Sequence, residues 1–311
     1  MERRRIGDSE LEVAPLVLGG NVFGWTADET ASFAILDAFL DAGGTMIDTA
    51  DVYSAWAPGH SGGESEGVIG RWLKRDPAKR GKVQIATKVG FLEGLAPDVI
   101  ARACDASLER LGIETIDLYY QHKDDDSVPL ADSLGAMDAL VAAGKVRSIG
   151  LSQFEPGRLD EAMRTAAAGG LTKPCALQTW YNMVERAKLE GPLLDTATAH
   201  GLGVLSFYSL ANGFLTGKYR SQNDLGKSVR GMRNTEYLEG RGQRVLAALD
   251  DIAAETGAAL ATVALAWTMA RPGITAAIAS ATSLAQLHEV LAALTLELSA
   301  DQIERLNQAS A

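Results

Sequence analysis

Apolar residues fall along this chain in two alternating rhythms. Short, continuous hydrophobic runs begin near Leu16, Met46, Gln84, Ile116, Val146, Cys175, Gly203 and Ile274. Between them lie longer stretches, such as residues 30–40 and 130–141, whose apolar positions recur at helical spacing. The short runs do not alternate with polar residues, which is how strands buried on both faces of a parallel sheet read. Asp28, Ser65, Pro97 and Pro156 read as helix starts, and Gly43, Gly112, Gly144 and Gly201 as helix ends. The pattern predicts eight strand–helix units at a spacing of roughly 30 residues, an α/β chain closed as a (β/α)8 TIM barrel. Ahead of the first unit, residues 3–6 and 11–14 flank Gly7-Asp8-Ser9 and read as a β-hairpin. No linker interrupts the series, so residues 1–311 are expected to form a single domain.

Two intervals are longer than the rhythm allows. Residues 219–242, rich in Arg, Asn, Gln, Ser and Gly, read as a mobile excursion on the functional face. The loop SAWAPGHSGG, residues 54–63, carries Trp56.

Composition narrows the class of partner. A formal net charge of −11 argues against nucleic acid and anionic membranes, which call for a basic face. The opening MERRRIG has no apolar run behind it and so does not read as a signal peptide. The most apolar segment, residues 258–270, is too short to span a bilayer. Cys104 and Cys175 are expected to be buried spectators, and the setting to be a reducing cytoplasm.

In a barrel of this kind reactive residues belong at the carboxyl ends of the strands. Asp48 ends the second run, Lys88 the third and His122 the fourth, and Gln178 ends the sixth, while Tyr53 lies in the loop just past Asp48. Such a set suits carbonyl reduction. A phenol with a pKa of about 10 is a poor acid at neutral pH, and a neighbouring ammonium makes proton loss easier. Asp48 would hold Lys88 charged and aimed, and His122 would donate a hydrogen bond to the substrate oxygen. Taken singly, each residue also suits a structural role: an ion pair with a packed ring, or a core histidine. The acidic run Asp124-Asp125-Asp126 suggests a divalent-ion site, but the lysine before it and the turn after it favour an acidic helix N-terminus, and no metal is expected.

These residues resemble the aldo-keto reductase superfamily. GGTMIDTADVYS is similar to that family's first signature, and IATKVG, GLSQF and FYSLANGFLTGKY to later landmarks, in an order that matches from about residue 16 to residue 302. The resemblance implies a barrel closed at the bottom by the N-terminal hairpin. It also implies metal-free, NAD(P)H-dependent reduction of small-molecule aldehydes and ketones. Tyr53 would be the general acid, Lys88 and Asp48 its tuning pair, and His122 the residue that positions the carbonyl. The dinucleotide would lie extended across the mouth, and no GxGxxG unit opens a helix here to suggest otherwise.

By position, Gly20 and Asn21 would border the cofactor, and Ser152, Gln153 and Gln178 would meet its carboxamide. Phe207 or Tyr208 would stack on the nicotinamide, and Ser209, Leu210, Gly213 and Lys218 would line the pyrophosphate. Ser280, Thr282, Ser283, Gln286 and Glu289 would surround the adenosine phosphate. These last positions carry no Lys or Arg; NADPH is still expected, with NADH as the other possibility. Asn21, Phe23, Trp25, Trp56 and Phe91 would wall the substrate pocket. The family also contains channel β-subunits that keep the cofactor site and turn over slowly, so a redox-sensing regulatory subunit is the alternative. A sugar-phosphate isomerase or aldolase on the same barrel would need Lys88 as a free base or Schiff-base nucleophile.

Overall fold

The computed structural model describes residues 2–311. Eight parallel strands close into a barrel: β3 (Leu16–Gly19), β4 (Met46–Asp48), β5 (Gln84–Val89), β6 (Ile116–Gln121), β7 (Val146–Ser152), β8 (Ala176–Trp180), β9 (Gly203–Phe207) and β10 (Ile274–Ala279). Each pairs with its neighbour in sequence, and β10 returns to β3 through Ala277–Leu16, Ile278–Val17 and Ala279–Leu18. All eight strands stand where the continuous apolar runs fall, with β8 starting one residue after Cys175.

Helices cover the outside. α1 (Glu29–Asp41), α2 (Glu64–Arg75), α3 (Pro97–Leu111), α4 (Leu130–Ala142), α5 (Pro156–Gly169) and α6 (Pro192–Ala199) follow β3 to β8 in turn. α7 (Arg241–Thr256) and α8 (Leu260–Ala270) both separate β9 from β10, and α9 (Leu284–Ala292) and α10 (Ala300–Ala309) complete the chain. Asp28 caps α1 by accepting the Ala31 N–H at 2.8 Å. Pro97 and Pro156 occupy the first turns of their helices, where the missing N–H costs nothing. Ser65 does not start a helix: the cap of α2 is Gly63 in a left-handed conformation, and Ser65 is buried inside the first turn with its hydroxyl turned toward the barrel. Among the described residues no single helix is long and apolar enough to cross a membrane.

The hairpin of β1 (Arg4–Arg5) and β2 (Glu12–Val13) plugs the amino-terminal end of the barrel. Its Ile6, Leu11 and Val13 join barrel residues Val17, Met46 and Leu118 in one buried cluster. Gly7 has φ of +53°, and a Cβ there would press into the Cys175 carbonyl, so only glycine permits the turn to seat this closely. With the floor sealed by side chains, the carboxyl ends of the strands form the one mouth available for chemistry.

The excursion of residues 219–242 is not structureless, contrary to expectation. It folds as two short 3-10 segments, Gln222–Lys227 and Gly231–Leu238. Tyr219, Leu225 and Leu238 are buried and pin it to the core, and Asp224 accepts the N–H groups of Arg220 and Ser221. Cys104 in α3 and Cys175 before β8 are both buried and unpaired.

Candidate active site

The strand ends bring the four expected side chains into one mouth. Lys88, fully buried near the end of β5, places its ammonium 2.7 Å from Asp48 Oδ2, 2.6 Å from the Thr49 carbonyl and 2.9 Å from Tyr53 Oη. An ammonium has three donors, and each meets an acceptor. Asp48 accepts at both oxygens: Lys88 on one, with the Tyr53 hydroxyl more distant at 3.3 Å, and Gln178 Nε2 on the other at 2.7 Å. The ammonium also lies 4.7 Å from the centre of the Tyr53 ring.

Electrostatics at the four residues follow from burial. The Tyr53 phenol is pushed well above its ordinary range, by burial first and by Asp48 second, with Arg230 pulling the other way. Lys88 is pulled down by burial and held up chiefly by Asp48. Low-polarity surroundings and the Asp48 carboxylate both disfavour a phenolate in this environment, while the Lys88 ammonium at 2.9 Å is placed to favour one. His122, one residue past β6, is pushed well below the ordinary histidine range by burial and by the Lys88 and Lys123 charges. It is a neutral ring at physiological pH, and its ring centre lies 6.0 Å from that of Tyr53.

A hydrogen-bond chain fixes the loop that carries Tyr53. Thr49 Oγ1 donates to Ser65 Oγ at 2.8 Å, and Ser65 Oγ donates to the Gly20 carbonyl at 2.8 Å. The helix after β4 thus holds both Thr49, whose carbonyl grips Lys88, and the turn after β3.

The expected cofactor positions gather at the same end, with differences in detail. Ser152 Oγ, at the last residue of β7, is buried without a hydrogen-bond partner, and so is Asn212 Oδ1. Gln178, expected to face a carboxamide, is bonded to Asp48 instead, and Gln153 donates to the His122 carbonyl at 3.0 Å. Phe207 and Tyr208 stand edge to face, 5.2 Å apart, beside Trp180. Tyr208, Ala211 and Asn212 all have positive φ, as does Gly213, so the chain leaving β9 is a strained turn. Ser209 bonds Ser206, and Lys218 is exposed, with its ammonium over the Tyr219 ring. Across the mouth Ser280 Oγ donates to Asn21 Oδ1 at 2.8 Å, and a Cβ on Gly19 would come 2.5 Å from that hydroxyl oxygen. Ser283 caps α9, while the Gln286 side chain accepts from Thr282; Glu289 is exposed.

Among the pocket residues, Trp56 and Phe91 are 47% and 38% exposed at the rim. Trp56 packs edge-on against Tyr53 and Trp25, and Phe91 against His122. Phe23 is not part of the wall. It has no exposed surface, because the turn from Gly20 to Ala27 folds its ring inward against Val22, Ala27 and Phe33. Asp124 and Asp125 do not form an acidic helix start either. Asp124 pairs with Arg158 and Asp125 accepts the Leu95 N–H, bracing neighbouring loops.

Sequence reasoning passed over Arg230. The excursion carries its guanidinium to 5.2 Å from the Trp25 ring. Burial pulls Arg230 below its ordinary value, and its strongest neighbours are Tyr208, Arg233, Tyr53 and Tyr219, none of them a carboxylate. Arg233 donates to the Tyr208 hydroxyl at 3.3 Å. The run SVRGMRN held the signal, as two cations in a segment otherwise poor in apolar residues.

A barrel of this topology with a buried aspartate–lysine–tyrosine triad and a neutral histidine at its mouth has the build of an oxidoreductase. The model of the Aldo/keto reductase family matches residues 15–311, and the chain belongs to that family. It is 32% identical over 99% of its length to an uncharacterised oxidoreductase, YrpG, of Bacillus subtilis, covering 95% of that protein. It is 30% identical over 99% of its length to a probable voltage-gated potassium channel subunit beta of Arabidopsis thaliana, covering 97% of it. With the L-glyceraldehyde 3-phosphate reductase of Escherichia coli K12 it shares 29% identity over 99% of its length and 92% of the relative.

Proposed function

We propose that this oxidoreductase reduces aldehydes and ketones to alcohols with NADPH, Tyr53 delivering the proton. The observation that carries the reading is the Lys88 ammonium, 2.9 Å from the Tyr53 oxygen and 2.7 Å from Asp48. When bound, the dinucleotide supplies hydride to the carbonyl carbon. The chain's own residues do the rest. Tyr53 gives its proton to the substrate oxygen as negative charge gathers there, and Lys88 donates a hydrogen bond to the phenolate oxygen left behind. Asp48 keeps the buried ammonium charged. His122, being neutral, directs the carbonyl by donating a hydrogen bond without presenting a competing acid.

The mouth offers groups that fit such a cofactor. The unpartnered Ser152 Oγ suits a carboxamide, and Gln178 would have to exchange its Asp48 bond for one. Phe207 and Tyr208 offer an aromatic face, and Arg230 an unpaired cation for phosphate oxygens. The first turn of α9 behind Ser283 suits an anion. Trp25, Trp56 and Phe91 favour apolar or aromatic carbonyl compounds. The name of the Escherichia coli relative adds small phosphorylated aldehydes to the panel. The buried unpaired thiols fit a cytoplasmic setting.

The test is loss of NADPH absorbance with 4-nitrobenzaldehyde and with glyceraldehyde 3-phosphate. Turnover is expected from the wild-type chain and not from Tyr53→Phe; full activity in that variant would remove Tyr53 from the proton-donor role. A second reading, a redox-sensing nucleotide-binding subunit, is favoured by the name of the Arabidopsis thaliana relative. It predicts tight NADPH retention with turnover too slow to matter across the whole carbonyl panel.

A further inference from the structure

Behind the catalytic residues, between the barrel wall and α2 and α3, lies a second cluster of charged groups that the proton transfer does not use. Glu66 has no exposed surface; its Oε1 accepts from Thr87 Oγ1 at 2.6 Å and its Oε2 from Arg110 Nη2 at 2.6 Å. One cation and one carboxylate therefore match. Asp51 is the carboxylate left over. Its Oδ1 is enclosed without a hydrogen-bond partner, and its backbone N–H donates to the Lys88 carbonyl at 3.2 Å. It stands two residues before Tyr53, on the loop that Thr49 and Ser65 anchor.

We propose that Asp51 is a positioning residue that sets the pH range of proton transfer through Lys88. Protonated, it leaves the ammonium facing Asp48 as its main counter-charge and free to draw on the Tyr53 oxygen. Ionised, it adds a second negative charge that acts on Lys88 and makes the phenolate harder to form. The inference rests on the reductase reading above.

The surroundings place this change near neutrality. Burial first, and the Glu66 charge second, push the Asp51 carboxyl up to about 7, against Arg110, the Val52 amide and Lys88. Four neighbours are displaced away from that range. From α3, the Cys104 thiol is pushed up to about 12; from β6, Tyr119 is pushed well above 10, in both cases mainly by burial. From the mouth side, His122 lies well below its ordinary range and Tyr53 well above. Beside these four, Asp51 is the carboxyl carried to about 7.

The sign follows from the direction of the reaction. Reduction needs Tyr53 to give up a proton, so its rate falls as pH rises and Asp51 ionises. Single-turnover oxidation of bound NADPH by 4-nitrobenzaldehyde, followed by rapid mixing from pH 6 to 8.5, is expected to slow about threefold to tenfold, with an inflection near 7. Asp51→Asn should hold the fast, low-pH rate throughout. Glu66→Gln removes the repulsion and should move the inflection to lower pH. The carboxylic-acid C=O band of Asp51 in infrared difference spectra should fade over the same range in the wild type and be missing from Asp51→Asn.

A wild-type profile without the inflection, or an Asp51→Asn profile that keeps it, overturns the proposal. Should Asp51→Asn fail to fold, a Glu66→Gln inflection that does not move, or a wild-type carboxyl band that does not titrate, overturns it equally. Absence of turnover at every pH marks failure of the reductase reading. Turnover with a flat profile marks failure of this inference alone.

Discussion

The Lys88 cluster and the β9–β10 side of the barrel mouth are built on opposite plans. Around Lys88, where β4 meets β5, the polar atoms are committed: the three donors of Lys88 are taken, and both oxygens of Asp48 accept. Around β9 and β10 polar capacity is left over. Asn212 Oδ1 has no partner, the chain runs through consecutive left-handed residues from Ala211 to Gly213, and Arg230 has no carboxylate among its strongest neighbours. A buried polar group without a partner costs about 1–3 kcal/mol. A ligand that meets such groups gives a reason to keep them. The first side is organised before any reaction begins; the second is organised to receive.

The contrast breaks most readily at Tyr53. Tyr53→Phe should lower kcat by about 10²–10⁴-fold while the Kd for NADPH, read by fluorescence quenching, stays within experimental scatter. Such a split would separate chemistry from binding along the line drawn above. Lys88→Met should abolish turnover as well and, by leaving the Asp48 carboxylate buried without its cation, cost about 3–5 kcal/mol of stability, visible as a lower melting temperature. On the receiving side, Arg230→Leu should weaken NADPH about tenfold, in line with one charge-assisted hydrogen bond. The loss should shrink at high salt, and the melting temperature should hold steady.

Asp51 sharpens the comparison through pH. Its folded value lies above the unfolded one, so from about pH 4 to about pH 7 the folded chain keeps a proton that the unfolded chain has lost. Its contribution to stability therefore falls as pH rises through that window. Because the residue is partly exposed, Asp51→Asn should gain only about 1–2 kcal/mol above pH 7, with no gain below pH 4. The smallest effect belongs to the rim. Trp56→Ala should raise KM for an aromatic aldehyde about threefold, the worth of roughly 25 cal/mol per Å² over a modest contact. The melting temperature should not change.

Much of this molecule was legible because buried parallel strands advertise themselves. A short, mostly apolar run with a polar residue at or near its end marks a strand and its mouth end together, so Asp48, Lys88 and His122 could be placed along with the barrel. What the sequence concealed was side-chain commitment. Gln178 could be assigned to the mouth, but nothing in its spacing says that its amide would bond Asp48. The grip of Lys88 on a backbone carbonyl has no residue code at all. Phe23 misled because an aromatic just past a strand end reads as rim, while a turn closed by backbone bonds from Val22 to Ala27 folded it inward. The excursion misled in the other direction, since its few apolar anchors are spread too thinly to show a period.

The hairpin plug has a consequence for how solvent reaches the middle of the protein. With Ile6, Leu11 and Val13 wedged among the barrel's inward-facing side chains, deuterium has no route through the floor. Exchange of the amides lining the barrel should start from the Tyr53 end and spread toward the Gly7 turn, so a bound nicotinamide would slow labelling of strands it never touches.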